Sequence, residues 1–151
     1  MHFTLIYGKP DDIRHSGKVE TNMAVMIPAS VGEVMDKLTI LQIKAERITD
    51  REKLVNIHNE IAALEPVCSA EAYQTETVTN LVIALKGVNE ELWDIEDKIR
   101  LKEAAKTFDE DFIALARAVY VTNDRRAELK KQINQETGSD LVEEKSYQDY
   151  S

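Results

Sequence analysis

A single cysteine, Cys68, excludes an intrachain disulfide, and three scattered histidines (His2, His15 and His58) show neither zinc-ligand spacing nor a Cys/His pattern. The expected setting is therefore a reducing, cytoplasmic one. Aromatic residues make up only 6% of the chain, with five glycines and three prolines, too few turn formers for a sandwich or barrel of many short strands. No stretch approaches the roughly 18 consecutive apolar residues of a membrane span. The short apolar run Phe3 to Tyr7 has no basic segment before it and falls short of a signal peptide. Neither a membrane span nor secretion by that route is expected. Basic residues are in the minority, 19 against 28 acidic ones, and the formal charge of −9 repels nucleic-acid phosphates and anionic lipid surfaces. Nucleic acid is not an expected partner. A Gly-rich phosphate loop, a nucleophile elbow and a Cys/His pair are also missing, so Walker-type and acyl-transfer chemistry have no support.

What the chain has instead is helical period. Its 151 residues suffice for one domain with its own core, and 31% of them are charged. In LVIALKGVNEELWDIEDKIR (81–100) the residues Leu81, Leu85, Val88, Leu92, Ile95 and Ile99 recur at steps of four and three, the seam of a packed helix. Gly87, Glu90, Asp94 and Asp97 share an adjoining face, which sets three carboxylates in line.

Residues 1–29 read as an N-terminal arm, partly extended, with a possible short strand at FTLIY (3–7) and Pro28 biasing Ile27 away from helix. Residues 30–138 read as the helical bundle. Ser30 and Glu33 have capping-box spacing at the start of a first helix, whose stripe is Val34, Leu38, Leu41, Ala45 and Ile48, widened by Met35 and Ile40. Thr49 and Asp50 offer a cap to a second helix that is expected to end near Pro66. The connection is so short that the two form a hairpin or one bent helix, and a hairpin is favoured. Pro66 to Ser69 is expected to turn, and a third helix runs from near Thr77 to about Ala105. Thr107 and Glu110 repeat the capping-box spacing before a fourth helix starting near Asp109, which Gly138 terminates. Residues 139–151 form a polar C-terminal tail. The expected fold class is all-α, an antiparallel helical bundle of about four helices with an extended N-terminal arm.

Several polar positions ask for a chemical reason. Thr122 and Arg126 lie on the apolar line of the fourth helix, and antiparallel counting places Arg126 opposite Gly87 and Thr122 opposite Glu91. The missing side chain of Gly87 would leave room for the guanidinium, with Glu90, Glu91 and Asp94 as partners. In one reading these ion pairs set the register of the helices. In another, Glu90, Asp94 and Asp97, joined by Glu33 and Asp36 of the first helix, hold magnesium or manganese. In a third, the row is a solvated face. The spacing of Glu33 with Asp36 and of Glu91 with Asp94 resembles the E-x-x-E and E-x-x-D motifs of all-α nucleoside-triphosphate pyrophosphatases, although the first helix lacks the second glutamate. Arg125, Arg126, Lys130 and Lys131 form a basic cluster suited to an anion or phosphate. Trp93, off the seam, is a candidate anchor for a partner protein.

The segments IPASVGEVMDKLTILQIKAERITD, NEELWDIEDKIR, TNDRRAELKKQIN and LVEEKSY resemble a family of small bacterial and phage proteins of unknown function, over residues 26–147. That resemblance implies a context of cell-surface polysaccharide synthesis and supplies no catalytic residues to carry over. It also implies that Glu33, Asp36, Lys37, Asp94, Asp97, Asn123, Arg126, Glu144 and Lys145 belong to one design. The expected function is thus a small helical binding or assembly module, requiring no cofactor and associating with itself or another protein, through the wide apolar face of helices one and two. The rival is a divalent-metal-dependent hydrolase or transferase acting on nucleotide or phosphorylated substrates.

Overall fold

The computed structural model describes residues 24–146, in which four α-helices and one 3-10 turn (Glu71–Tyr73) occur and no strand is found. The all-α expectation holds. The expected strand at 3–7 and most of the arm lie outside the described residues.

Local cap chemistry sets the helix ends. Ser30 is extended and its hydroxyl accepts from the Glu33 amide at 3.2 Å, opening α1 (Val31–Arg47). Only half of the expected capping box forms, because the Glu33 carboxylate turns to Lys130 instead. The Asp50 carboxylate accepts from the amides of Glu52 and Lys53, at 3.0 and 3.1 Å, and opens α2 (Arg51–Cys68). Contrary to the sequence reading, α2 continues past Pro66: a proline so near the end removes one N–H, and the Ser69 amide closes the last turn on the Glu65 carbonyl. Thr75 caps α3 (Glu76–Ala104) through the Val78 amide. For α4 (Glu110–Thr137) the cap is Asp109 rather than Thr107, its carboxylate accepting from Phe112 at 3.0 Å. Lys106 takes a φ of 53° in the α3–α4 turn, and Gly138 ends α4 at a φ of 63°.

Ion pairs between helices reveal the topology. Lys37 meets Glu60 at 2.9 Å, so α1 and α2 form an antiparallel hairpin. Arg125 meets Glu91 and Lys102 meets Asp111, so α3 and α4 form a second one. Gly32 bonds to Asn134 and Asp36 to Arg126, whereas Asp36 also meets Asn89 and Arg47 meets Asp94. Thus α1 runs antiparallel to α4 and parallel to α3, lying along one side of their hairpin, and α2 packs on α1. Met35, Val78, Leu85 and Ile133 form the central cluster, closed at one end by Cys68 and Tyr73. Each such burial contributes about 1.5–3 kcal/mol, more than any surface ion pair.

Two consequences bear on function. On α1, Met35, Leu41 and Ile43 are buried inside the chain, whereas Val34, Leu38 and Ile40 are only partly covered. Moreover, α1 ends where Arg47 reaches Asp94, and α3 continues to Ala104. Asp97 and Arg100 still share a groove with Ile40 and Ile43 of α1, and the last turn of α3 from Leu101, with the facing start of α4, forms a two-helix tip past α1.

Candidate functional site

The deepest row of α1 is Gly32, Asp36, Thr39 and Ile43, at steps of four, three and four. Asp36 is 1% exposed. Its carboxylate accepts from Arg126 Nε at 2.9 Å and from Arg126 Nη2, a bidentate pair, and also from Asn89 Nδ2 at 2.9 Å. Asn89 donates in addition to the Thr39 hydroxyl at 3.0 Å, and that hydroxyl donates back to the Asp36 carbonyl. One carboxylate thereby joins α1, α3 and α4. The hydrogen bonds that Arg126 donates to Asp36 hold its guanidinium charged against the burial that opposes it, and raise its pKa.

A second polar clamp lies one turn away. The Asn134 side chain accepts from the Gly32 amide at 2.7 Å, and a Cβ added at Gly32 would stand 2.5 Å from the Lys130 carbonyl. Only glycine allows α1 and α4 to approach this closely there. Lys130, nearly buried, is gripped by Glu33 and by Glu143 of the C-terminal segment. Burial works against its charge, but the two carboxylates outweigh it and raise its pKa, while Lys130 lowers that of Glu143.

These contacts distribute the candidate residues. Glu33 faces Lys130, Asp36 faces Arg126, Glu90 faces Lys86 at 3.5 Å, and Asp94 faces Arg47. Asp97 lines a groove beside Trp93. Among the described residues no three His, Cys, Asp or Glu side chains gather as a metal-holding group. The basic cluster is likewise divided: Arg125 pairs with Glu91 at 2.9 Å, Arg126 with Asp36 and Lys130 with Glu33 and Glu143. Arg126 therefore does not lie against Gly87 with Glu90, Glu91 and Asp94, as counting within the α3–α4 hairpin suggests. It turns to α1, where a buried carboxylate offers better geometry, and a Cβ at Gly87 would meet nothing within 4 Å. The same counting does place Thr122 on Glu91, at 3.5 Å. The residues expected to share one design do not form one cluster, since Lys37 pairs with α2 and Asp94 with Arg47. Asn89, Thr39, Gly32 and Asn134 were not singled out by the sequence reading. The signal available for Asn89 was an amide next to Val88 in an otherwise apolar seam.

Trp93 is half-buried, with the Arg47 guanidinium 5.7 Å from its ring centroid. The opposite face of the α3–α4 hairpin, away from α1, carries a shallow groove toward the tip, lined by Leu101, Ala105, Ala114, Leu115 and Ala118. Leu101 is 71% exposed, Phe108 and Ile113 each 56%. Phe108 and Phe112 pack edge to face at 5.2 Å at the turn.

Residues 23–150 match the model of a family of unknown function (DUF6165), and the chain belongs to that family. No curated protein and no solved structure matches it. No helix among the described residues is long and apolar enough to cross a membrane.

Proposed function

We propose that this member of the family is a helical assembly module that associates with a second copy of itself through the projecting α3–α4 tip. The observation that carries the reading is the exposure of Leu101, Phe108 and Ile113 on a part of the hairpin that α1 does not reach. Large apolar side chains gathered at one end of a molecule favour burial against a partner. Charge favours a second copy. The whole chain carries −9, yet residues 98–118 hold five basic side chains (Lys98, Arg100, Lys102, Lys106, Arg117) against four acidic ones (Glu103, Asp109, Glu110, Asp111). Over such a stretch two acidic molecules meet without strong repulsion. A two-fold contact needs a self-compatible patch of this kind.

The rival hydrolase or transferase needs Glu33, Asp36, Glu90, Asp94 and Asp97 to converge on one cation, whereas four of the five face separate cationic side chains. Cross-linking a mixture of isotopically light and heavy chains at lysine tests the assembly reading. Links between copies are expected to concentrate at Lys98, Lys102 and Lys106; links spread evenly over the lysines, or none between copies, would remove it.

A further inference from the structure

On the side of the hairpin covered by α1, a groove of about 230 Å³ opens between α1, α3 and α4. Its walls include Ile43, Asn89, Trp93, Asp97, Asn123 and Arg126. We propose that this groove binds a small uncharged ring bearing adjacent hydroxyl groups, a neutral pyranose being the class that fits. The inference does not depend on self-association, because Leu101, Phe108 and Ile113, which carry that reading, do not line this groove.

The hydrogen-bonding pattern carries the proposal. Asn89 is 94% buried, since its relative exposure is 6%, and both hydrogens of its amide are committed, to Asp36 and to Thr39. Its amide is thereby fixed in orientation, and its carbonyl oxygen has no donor among the described residues. Asn123 donates to the Val119 carbonyl at 3.1 Å, one turn back in its own helix, and its carbonyl oxygen is left in the same state. Arg126 uses Nε and Nη2 on Asp36, so Nη1 remains a donor held in place by the other two bonds. Asp97 supplies a further acceptor. Rigid donors and acceptors beside an apolar wall of Trp93, Leu92 and Ile40 are what orient a small ligand in a pocket.

Charge and shape narrow the class. The guanidinium of Arg126 is neutralised by Asp36, and Arg100 at the rim is paired with Glu96 at 2.9 Å. A phosphate or carboxylate therefore finds no uncompensated cation here and meets Asp97. Hydroxyl groups both donate and accept, which suits two fixed carbonyl oxygens, a carboxylate and a guanidinium N–H set around one opening. A pyranose also presents a face of C–H groups to an indole while its edge carries hydroxyls.

The test is a titration of the full chain, followed by the side-chain N–H signals of Asn89 and Asn123 and the indole N–H of Trp93, the only tryptophan. The probes are glucose, galactose and mannose, with glucose 6-phosphate and glucosamine as charged counterparts of the same ring. At least one neutral hexose is expected to shift these three signals saturably, and more tightly than either charged sugar. Asn123→Leu is expected to weaken that binding about tenfold with unchanged melting, because Asn123 bonds only within its own helix. No saturable shift with any neutral hexose up to about 100 mM would overturn the proposal. Tighter binding of a charged sugar, or unchanged affinity in Asn123→Leu, would overturn it too.

Discussion

Asp36 and Arg126, 90 residues apart in sequence, meet through two hydrogen bonds from one guanidinium to one carboxylate, across α1 and α4. The carboxylate is buried and the guanidinium partly exposed, so the two ends of the pair are not equivalent. Removing the arginine strands a charge in the interior, and removing both does not.

Arg126→Met is therefore expected to destabilise the fold by about 3 kcal/mol, the lower end for a broken buried pair because Arg126 reaches solvent. The double variant Asp36→Leu with Arg126→Met should recover at least half of that. Urea denaturation of wild type, both single variants and the double variant measures the coupling. Additive losses would mean that the pair is not the interaction joining the helices.

Two glycines should respond in opposite directions. At Gly32 a methyl group meets the Lys130 backbone carbonyl at 2.5 Å, and backbone cannot swing aside as a flexible side chain can. Gly32→Ala is expected to push α1 from α4 and lose about 1–3 kcal/mol. Gly87→Ala meets nothing within 4 Å and, lying within α3, should gain about 0.5–1 kcal/mol from helix propensity. Thermal melting of the two variants separates these outcomes.

Acid should release the C-terminal segment. Lys130 lowers the Glu143 pKa below its ordinary 4.5, so the pair stabilises the fold fully above that value. Its contribution is lost as the pH falls through the lower, folded-state pKa. For Lys130, whose pKa is raised above 10.5, the sign reverses: its contribution is complete below that value and disappears as the pH rises through the folded pKa. Glu143→Gln should flatten the acid limb of a stability–pH profile and leave the neutral plateau lower by about 1 kcal/mol or less, since Glu143 is half-exposed. An acid limb of unchanged slope in the variant would contradict this assignment.

The parts of this architecture that were legible in the sequence are those fixed by near neighbours. Ser30, Asp50 and Gly138 act within one turn of themselves, and the Thr122–Glu91 contact follows from counting across a single turn. The partner of Arg126 was not legible, because it depends on how α1 is laid across the other hairpin, which no short-range spacing specifies. Apolar period also misplaces the face of α1. Its deepest row contains Gly32, Asp36 and Thr39, which a hydrophobic pattern counts as gaps, whereas Val34 and Leu38, at the centre of the apolar stripe, are only partly buried. Asp36 thus stands out as a carboxylate of interest for its charge, while of the residues that build its surroundings Asn89 offers only an amide beside the seam, and Thr39 and Gly32 carry no signal of their own.

Sedimentation velocity over a concentration series, comparing the wild type with Leu101→Glu and Ile113→Glu, tests the assembly account most directly. Both residues are exposed at the tip, so neither substitution should alter the fold of the single chain, which melting can verify. The account predicts a wild type that sediments as a dimer and dissociates on dilution, with both variants monomeric at every concentration. A wild type that stays monomeric throughout, or variants that dimerise as well as it does, would contradict it.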